Sequence, residues 1–279
     1  MRARSTVVAG FAALGLVAAL ASPAAATGAR YYVSLGDSLS TGYQPGQGNT
    51  DQGYVDVLYA SLKAKDPALK LVKLGCAGED STTMIKGGHC PYDGASSQLD
   101  AAQKFLRAHR GAVRYLTIDI GGNDVDGCAV GGGIDTTCVL RGLTTLAGNL
   151  TQITSSLRAA AGPGVRTKLL GMNYYDPFLA AWLTGSSGQS VAGLSVLLSN
   201  ALNGLETSIY TGAGFRVADV ATRFATNDFV HQETLPGVGQ VPRNVFRICT
   251  WTYMCTRNDI HANPTGYQEI AKAFLPLTH

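Results

Sequence analysis

The hydrophobic positions of the chain follow two different periods. Five short, mostly apolar runs are typical of buried strands, whereas the stretches between them place an apolar side chain every three or four residues, as amphipathic helices do. We predict strands at residues 31–35, 69–74, 113–120, 165–172 and 215–220, and helices around residues 55–62, 99–106, 143–157 and 194–209. Strands that alternate with helices predict an α/β domain, in which helices cover both faces of a parallel sheet.

The chain after the fifth predicted strand is less regular. Residues 221–256 are rich in Pro, Gly and polar side chains and show little periodicity, so we predict an irregular stretch there. A last helix begins after Asn263, which can act as its N-cap, and Pro264 suits the first turn. His261 lies just before this helix, on a loop that the packed helix holds in place, and such a loop is a good position for a functional side chain.

Residues 1–26 have the composition of a targeting segment. Arg2 and Arg4 precede an apolar stretch at residues 7–20, and small residues follow it, as at the cleavage site of a secretory signal peptide. The apolar stretch is shorter than the roughly 20 residues of a spanning helix, so a retained membrane anchor is the less favoured interpretation. We therefore expect a secreted, extracellular protein whose domain covers residues 27–279, without an integral membrane span in the mature chain.

The charge of the chain disfavours one class of partner. The 279 residues include 22 Lys and Arg against 19 Asp and Glu, a formal net charge of +3 at pH 7, and no run of like charges. A nucleic-acid-binding surface needs a basic patch or stripe. We therefore expect no nucleic acid as a partner, and we expect the chain to be a monomer.

All six cysteines lie in the part of the chain that we expect to be exported to an oxidising compartment. They fall into three couples that are close in sequence. Pairing within each couple closes the shortest loops, although six cysteines also allow other connectivities. The expected disulfides are Cys76–Cys90, Cys128–Cys138 and Cys249–Cys255. We expect no metal site, because the adjacent His89 and Cys90 have no second close pair of ligands to complete a tetrahedron.

A candidate nucleophile follows the first predicted strand. Gly36, Asp37 and Ser38 lie at the carboxyl end of this strand, where open parallel sheets bind their ligands. The glycine allows a sharp turn that exposes Ser38; the alternative is a serine that only serves the turn or caps a helix. The usual nucleophile elbow, G-x-S-x-G, does not occur in the sequence, which disfavours a conventional α/β-hydrolase.

Two further glycine turns have groups suited to an oxyanion hole. Asn123 follows Gly121 and Gly122 after the third predicted strand, so its amide can lie in the same crevice as Ser38. Gly78 follows the second predicted strand and can present a main-chain N–H there. The alternative is that both are ordinary polar turns.

A serine nucleophile needs a base, and histidine has a pKa suited to this task near neutral pH. His261 is the best candidate of the five histidines because of its position before the last helix. The other four are in less favourable positions, at a glycine loop, a helix end, the irregular stretch and the terminus: His89, His109, His231 and His279.

The order and spacing of these motifs resemble the SGNH or GDSL-type hydrolases. The resemblance covers nearly the whole mature chain, through the motifs Gly36-Asp37-Ser38-Leu39, the Gly78 turn, Gly122-Asn123-Asp124 and Asp259-x-His261. The secreted actinobacterial branch of the family is similar in having sequential disulfides and a Cys couple just before the histidine. The resemblance implies a flavodoxin-like three-layer α/β/α sandwich with a central, five-stranded parallel sheet, and it implies no cofactor.

The resemblance also implies roles for individual residues. Ser38 would attack an ester carbonyl and form an acyl-enzyme, with His261 as the general base and then as the acid. The oxyanion would bind to the N–H of Ser38, the N–H of Gly78 and the side-chain amide of Asn123.

One position departs from the family pattern. The family usually has an acid three residues before the histidine, and that position is Asn258 here. We expect a main-chain carbonyl near Asn258 to orient the imidazole of His261. The alternative is that Asp259, two residues before the histidine, reaches the ring by a different loop path.

The leading functional hypothesis is a secreted serine carboxylic-ester hydrolase, a lipase or esterase, that acts on a small-molecule or lipid ester. An O-acetyl esterase acting on polysaccharide and a phospholipase are alternatives with the same fold. A serine peptidase and a non-catalytic secreted binding protein are alternatives of other classes. Six aromatic residues are expected either to line an acyl groove or to belong to the core: Tyr174, Tyr175, Phe178, Trp182, Phe229 and Trp251.

Overall fold

A computed structural model of the protein describes Met1, residues 28–164 and residues 166–279. Apart from Met1, the predicted signal peptide lies outside the described residues. The division of the chain into a signal peptide and a domain of residues 27–279 therefore stays a prediction. In the described part of the chain, no helix is both long enough and apolar enough to cross a membrane.

The described part of the domain contains nine strands and nine α-helices, together with four short 3-10 helices. The strands are β1 (Arg30–Gly36), β2 (Leu69–Lys73), β3 (Val113–Asp119), β4 (Ala129–Val130), β5 (Gly133–Ile134), β6 (Lys168–Met172), β7 (Arg216–Ala218), β8 (Gln232–Leu235) and β9 (Gly239–Pro242). The helices are α1 (Tyr54–Lys65), α2 (Ser81–Lys86), α3 (Gln98–Ala108), α4 (Thr136–Ala161), α5 (Ser186–Gly212), α6 (Val220–Arg223), α7 (Arg243–Trp251), α8 (Met254–Arg257) and α9 (Pro264–Phe274).

The five predicted strands form one parallel sheet in the order β2-β1-β3-β6-β7. The two central strands are apolar because both of their faces are covered: Tyr32, Val33 and Leu35 of β1 and Leu116 and Ile118 of β3 are fully buried. The edge strands β2 and β7 contain more charged residues, as their partial exposure allows. The predicted five-stranded parallel sheet is thus confirmed.

In the sheet, β2 lies on one side of β1, and the later strands β3, β6 and β7 lie on the other side. This change of direction decides which face of the sheet each connecting helix covers. Because parallel crossovers are right-handed, α1 lies on one face of the sheet, and α3, α4 and α5 lie on the other. The helix contacts agree with this arrangement: α1 packs against α9, whereas α3 packs against α4, and α4 against α5. The result is a three-layer α/β/α sandwich. The crevice of such a sheet lies at the carboxyl ends of β1 and β3, where the strand order reverses.

The prediction of an irregular stretch at residues 221–256 was wrong in part. This stretch contains α6, the antiparallel hairpin of β8 and β9, and the helices α7 and α8. The apolar residues of α7 have helical spacing, with Val245, Ile248 and Cys249 buried on one face. A helix of nine residues spans only about two and a half turns, so its pattern did not stand out among the surrounding Pro, Gly and polar residues.

Three disulfides hold connections that lie outside the central sheet, and they are the pairs predicted from the sequence. One joins the loop after β2 to the loop after α2, one encloses the β4–β5 hairpin, and one joins α7 to α8. They are Cys76–Cys90, Cys128–Cys138 and Cys249–Cys255.

Candidate active site

Ser38 lies on a sharp turn that follows β1. Gly36 has a φ of +136°, and a Cβ at this position would collide with the main-chain oxygen of Asp119, so only glycine fits where β1 ends against β3. The carbonyl of Asp119 accepts a hydrogen bond from the N–H of Asp37 at 3.2 Å, and its carboxylate accepts one from the N–H of Ser40 at 3.2 Å. The end of β3 therefore holds the turn that presents Ser38.

Ser38 and His261 lie within hydrogen-bond distance of each other, although 223 positions separate them in the sequence. The Oγ of Ser38 is 2.8 Å from Nε2 of His261. The ring of Tyr43 lies against the imidazole, with the ring centroids 4.5 Å apart. The structure thus brings together the predicted nucleophile and the predicted base.

Asp259, and not a main-chain carbonyl, contacts the other nitrogen of the imidazole. The Oδ1 atom of Asp259 lies 2.7 Å from Nδ1 of His261, and the same oxygen accepts a hydrogen bond from the main-chain N–H of His261 at 3.0 Å. The main-chain carbonyl near Asn258, which we preferred from the sequence, does not take this position; Asn258 ends α8 in the left-handed conformation, with a φ of +51°. The chain reverses at this residue, so an aspartate only two positions before the histidine lies beside the ring.

The loop that carries His261 is held from both sides. Asn263 is the N-cap of α9, and its side chain also donates a hydrogen bond to the main-chain oxygen of Thr250 at 2.8 Å. The hydroxyl of Tyr175 donates a hydrogen bond to the main-chain oxygen of Ile260 at 2.7 Å. These contacts fix the position of the imidazole before any ligand binds, which is an arrangement suited to a catalytic base.

The three predicted oxyanion donors have hydrogens available. Among the described residues, neither the N–H of Ser38 nor the N–H of Gly78 has a hydrogen-bond acceptor. The side-chain nitrogen of Asn123 donates one hydrogen bond to the main-chain oxygen of Glu79 at 2.8 Å, which leaves its second hydrogen free. The N–H of Cys76 donates a hydrogen bond to the main-chain oxygen of Gly36, which places the Gly78 turn beside the end of β1.

Gln98 is a buried residue of the site that the sequence analysis missed. Its side chain accepts a hydrogen bond from the N–H of Gly36 at 2.6 Å and donates one to the main-chain oxygen of Gly36 at 3.0 Å. The same amide donates a hydrogen bond to the carboxylate of Glu79 at 2.9 Å. Gln98 therefore connects the nucleophile turn to the turn that contains Gly78. The only sequence signal was a glutamine next to the apolar face of α3.

The acidic residues beneath the turn are buried. One carboxylate oxygen of Asp37 accepts a hydrogen bond from the N–H of Leu39 at 2.8 Å, and the other accepts one from the hydroxyl of Tyr174 at 2.7 Å. Burial raises the pKa of Asp37. Burial, together with the neighbouring Asp37, raises the pKa of Asp119 well above its usual range. The side chain of Asp37 thus hydrogen bonds to the turn and to Tyr174, and in the described residues no hydrogen bond joins it to His261.

An apolar cavity of about 110 Å³ opens beside Ser38, Asn123 and His261. Most of its wall consists of aliphatic and aromatic side chains, among them Leu39, Val125, Ile134, Tyr174, Tyr175, Phe178, Leu198 and Leu202. Three of the six aromatic residues considered for an acyl groove therefore line the cavity. The other three pack elsewhere: Trp182 lies against Phe229 at 5.2 Å, and Trp251 meets Phe224 edge-on at 5.1 Å.

Three of the four remaining histidines have other partners. His89 lies against the Gly78 turn, His109 stacks on Phe105, and His231 contacts the carboxylate of Asp228. In the described residues, no three His, Cys, Asp or Glu side chains lie close enough together to hold a metal ion.

The comparisons with known proteins agree with this architecture. The chain matches the model of the GDSL-like Lipase/Acylhydrolase family over residues 34–269. The extracellular lipase from Streptomyces rimosus is similar in structure, with a TM-score of 0.52 and 18% sequence identity over 89% of this chain and 98% of that chain. A protein from Parabacteroides merdae described as a GDSL-like lipase has a TM-score of 0.54 and 14% identity, over 89% of this chain and 95% of that chain. A search of curated proteins finds none that matches.

At these identities the structural likeness shows a shared fold, and the family match extends over most of the chain. The five-stranded parallel sheet with its flanking helices defines the class as a GDSL-type hydrolase fold. The chain belongs to the GDSL-like Lipase/Acylhydrolase family.

Proposed function

We propose that the protein is a secreted serine carboxylic-ester hydrolase of the secreted actinobacterial branch of this family. The observation that carries the proposal is the contiguous arrangement of Ser38, His261 and Asp259, with distances of 2.8 Å and 2.7 Å between successive side chains. A hydroxyl next to an imidazole that is itself oriented by a carboxylate is the arrangement that activates a serine nucleophile. Three disulfides support secretion, because such bonds persist in oxidising compartments.

The acylation step follows from the two nitrogens of His261. Asp259 accepts the hydrogen of Nδ1, so the neutral ring has a lone pair on Nε2. Nε2 removes the proton of Ser38 as Oγ forms a bond to the ester carbonyl carbon. The oxyanion of the tetrahedral intermediate binds to the N–H of Ser38, the N–H of Gly78 and the amide of Asn123. The imidazolium then gives its proton to the leaving alcohol.

The deacylation step uses the same residues with water as the nucleophile. Nε2 of His261 takes a proton from a water molecule, whose oxygen attacks the acyl carbon of the acyl-enzyme. Collapse of the second tetrahedral intermediate breaks the bond to Oγ of Ser38, which takes back the proton. The products are a carboxylic acid and an alcohol, and the enzyme returns to its initial state.

The cavity beside Ser38 supports an ester with an apolar acyl group. Its walls are mostly aliphatic and aromatic, so burial of an alkyl chain gains about 0.8 kcal/mol for each methylene group. This favours lipid-like or aliphatic esters over an acetylated polysaccharide. A phospholipase with the same residues remains the alternative for the natural substrate.

The first test is turnover of a p-nitrophenyl ester series from acetate to palmitate by the mature protein. We expect wild-type activity that rises from acetate to chains of intermediate length. Ser38→Ala is expected to lower kcat on the order of 10⁶-fold, as removal of a serine nucleophile does. A phosphonate inhibitor should label wild-type protein at Ser38 and leave Ser38→Ala unlabelled.

Ser187→Ala is the matched control, because Ser187 is an exposed serine of α5. It should keep wild-type turnover and labelling. Turnover by Ser38→Ala near the wild-type rate would contradict the assignment of the nucleophile. Absence of labelling and of ester turnover in wild type would instead favour the non-catalytic binding protein, and amide turnover that exceeds ester turnover would favour the peptidase.

A further inference from the structure

The loop after β2 contains a tight turn at residues 76–79. The N–H of Glu79 donates a hydrogen bond to the main-chain oxygen of Cys76 at 3.1 Å, and Gly78 in the third position has a φ of +84°. This φ is that of a type II turn, whose third position favours glycine. The central peptide group, between Ala77 and Gly78, takes no part in the hydrogen bond that closes the turn.

The orientation of this central peptide decides where the N–H of Gly78 points. Type I and type II turns have the same closing hydrogen bond and differ by a rotation of the central peptide by about 180°. Glycine allows both forms at its position. A rotation would turn the N–H of Gly78 to the opposite side of the turn, so a contact from outside the turn can hold one of the two orientations.

His89 makes such a contact. Its Nε2 lies 2.9 Å from the main-chain oxygen of Ala77. A Cβ added to Gly78 would lie 2.8 Å from the same nitrogen, so the imidazole lies directly against the central peptide. The peptide is trans, so its N–H points away from its carbonyl. A hydrogen bond from His89 to the carbonyl therefore directs the N–H of Gly78 to the side away from the imidazole.

The first disulfide places His89 at this position. Cys76 immediately precedes Ala77, and Cys90 immediately follows His89, so the bond between the two cysteines joins the turn to the segment that carries the imidazole. The Cα atoms of the two cysteines are 6.2 Å apart. The disulfide thus holds the segment that carries His89 next to Ala77.

We propose that His89 is a positioning residue that fixes the orientation of the peptide between Ala77 and Gly78 and so presents the N–H of Gly78 to the oxyanion. His89 acts through this peptide and does not touch the substrate. The catalytic part of the proposal rests on the proposed function, in which Gly78 is an oxyanion donor. The orientation of the peptide does not rest on it.

The structural test uses NMR of the folded mature protein with His89→Leu and His89→Gln. His89 is exposed, so both variants should fold. Leu removes the donor, whereas the amide nitrogen of Gln can reach the position of Nε2. We expect the ¹⁵N–¹H signal of Gly78 and the carbonyl ¹³C signal of Ala77 to shift or double in His89→Leu and to return near wild-type values in His89→Gln. His231→Leu, at an exposed histidine that contacts Asp228, is the matched control and should leave both signals unchanged.

The kinetic test uses the same variants with a p-nitrophenyl ester. Outright removal of an oxyanion donor costs about 10²–10³ in kcat, so disorder of one donor should cost less, about tenfold in kcat for His89→Leu. KM should change less than about twofold, because the oxyanion contact is made in the transition state. His89→Gln should restore kcat to within about threefold of wild type, a rescue that a loss of packing alone would not show.

The two tests separate the possible failures. Unchanged Gly78 and Ala77 signals in His89→Leu would overturn the proposal, whether or not the protein hydrolyses esters. Shifted signals with unchanged kcat would show that Gly78 is not an oxyanion donor and would overturn the catalytic part. Absence of ester turnover in the wild type would contradict the proposed function, and the NMR signals would still decide the role of His89.

Discussion

Asp259 contacts the imidazole although it lies two residues before the histidine, and not three. Its Oδ1 accepts hydrogen bonds from both the main-chain N–H and the Nδ1 of His261. One carboxylate oxygen of Asp259 therefore both closes a local turn with the main chain and contacts the imidazole. Aspartate commonly bonds main-chain N–H groups two residues on, and the left-handed Asn258 allows the turn.

We predict that Asp259→Ala lowers kcat for ester hydrolysis by roughly 10³–10⁴, because the imidazole loses both its orientation and the carboxylate that stabilises its protonated form. Steady-state kinetics with a p-nitrophenyl ester will measure this. Asp228→Ala removes another aspartate that contacts a histidine and should leave kcat unchanged. A loss of less than tenfold in Asp259→Ala would favour the alternative, in which a main-chain carbonyl orients His261.

Residues that act through the main chain were the hardest to predict. Ser38, Asn123 and His261 follow strands or precede a helix, so their positions could be deduced from the pattern of elements. The contact of Asp259 depends on a single left-handed residue, and asparagine adopts this conformation only where its surroundings select it. The side chain of Gln98 hydrogen bonds to both the main-chain N–H and the main-chain oxygen of Gly36. The sequence around Gln98 does not reveal this role, because an exposed glutamine of a helix would have the same kind of neighbours.

At the scale of elements, the structure differs from the prediction mainly in short segments. The central strands were predictable because their apolar runs are buried on both faces. The helix α7 and the β8–β9 hairpin form a separate small apolar cluster with Leu235, Val241, Val245 and Cys249. Such a cluster is stabilised by contacts between short elements, so local periodicity carried little information about it.

The disulfide between α7 and α8 belongs to the segment that leads to His261. We predict that replacing Cys249 and Cys255 by serine lowers the free energy of unfolding by about 2 kcal/mol, because a short closed loop contributes about this much. We also expect a lower kcat, since the N–H of Tyr253, inside this loop, donates a hydrogen bond to the main-chain oxygen of His261. Chemical denaturation and ester kinetics will measure the two effects.

The matched control replaces Cys128 and Cys138 by serine. This disulfide encloses the β4–β5 hairpin, which borders the cavity, and the enclosed loop contains no residue that hydrogen bonds to the loop of His261. The replacement should lower the free energy of unfolding by a similar amount, about 2 to 3 kcal/mol. It should raise KM for long acyl chains while kcat changes little. Equal effects of the two replacements on kcat would show that the α7–α8 disulfide has no particular connection to the base.

At the scale of the whole molecule, several carboxyl groups are buried. Burial raises the pKa values of Asp37, Asp119 and Glu206, and it raises the pKa of Asp124 and of Asp176 to about 6. The folded state therefore retains protons that the unfolded chain has already released. Stability from these groups is fully present below the unfolded pKa of about 4 and is lost as the pH rises through the folded pKa.

Asp176 tests this pH dependence. Its side chain is only 2% exposed and accepts hydrogen bonds from the hydroxyl of Ser195 and the N–H of Phe178. Asn can accept from Phe178 and donate to Ser195, so Asp176→Asn should be more stable than wild type at pH 8, by up to about 3 kcal/mol, and similar at pH 4.

Thermal unfolding at a series of pH values will measure this effect. Asp51→Asn makes the same change of charge at an exposed side chain and should leave the slope of Tm against pH as in wild type. An equal slope of Tm against pH in Asp176→Asn and in wild type would show that ionisation of Asp176 does not destabilise the folded protein.

The long sequence separation of Ser38 and His261 has a consequence for biosynthesis. Because synthesis proceeds from the amino end, Ser38 leaves the ribosome 223 residues before His261, and the helix that holds the loop of His261 follows later still. Until those later residues dock beside β1, the nascent chain has the proposed nucleophile without the proposed base. Under the proposed function, hydrolytic activity would therefore appear only after α9 and the loop of His261 have docked, so the onset of activity would report this docking step.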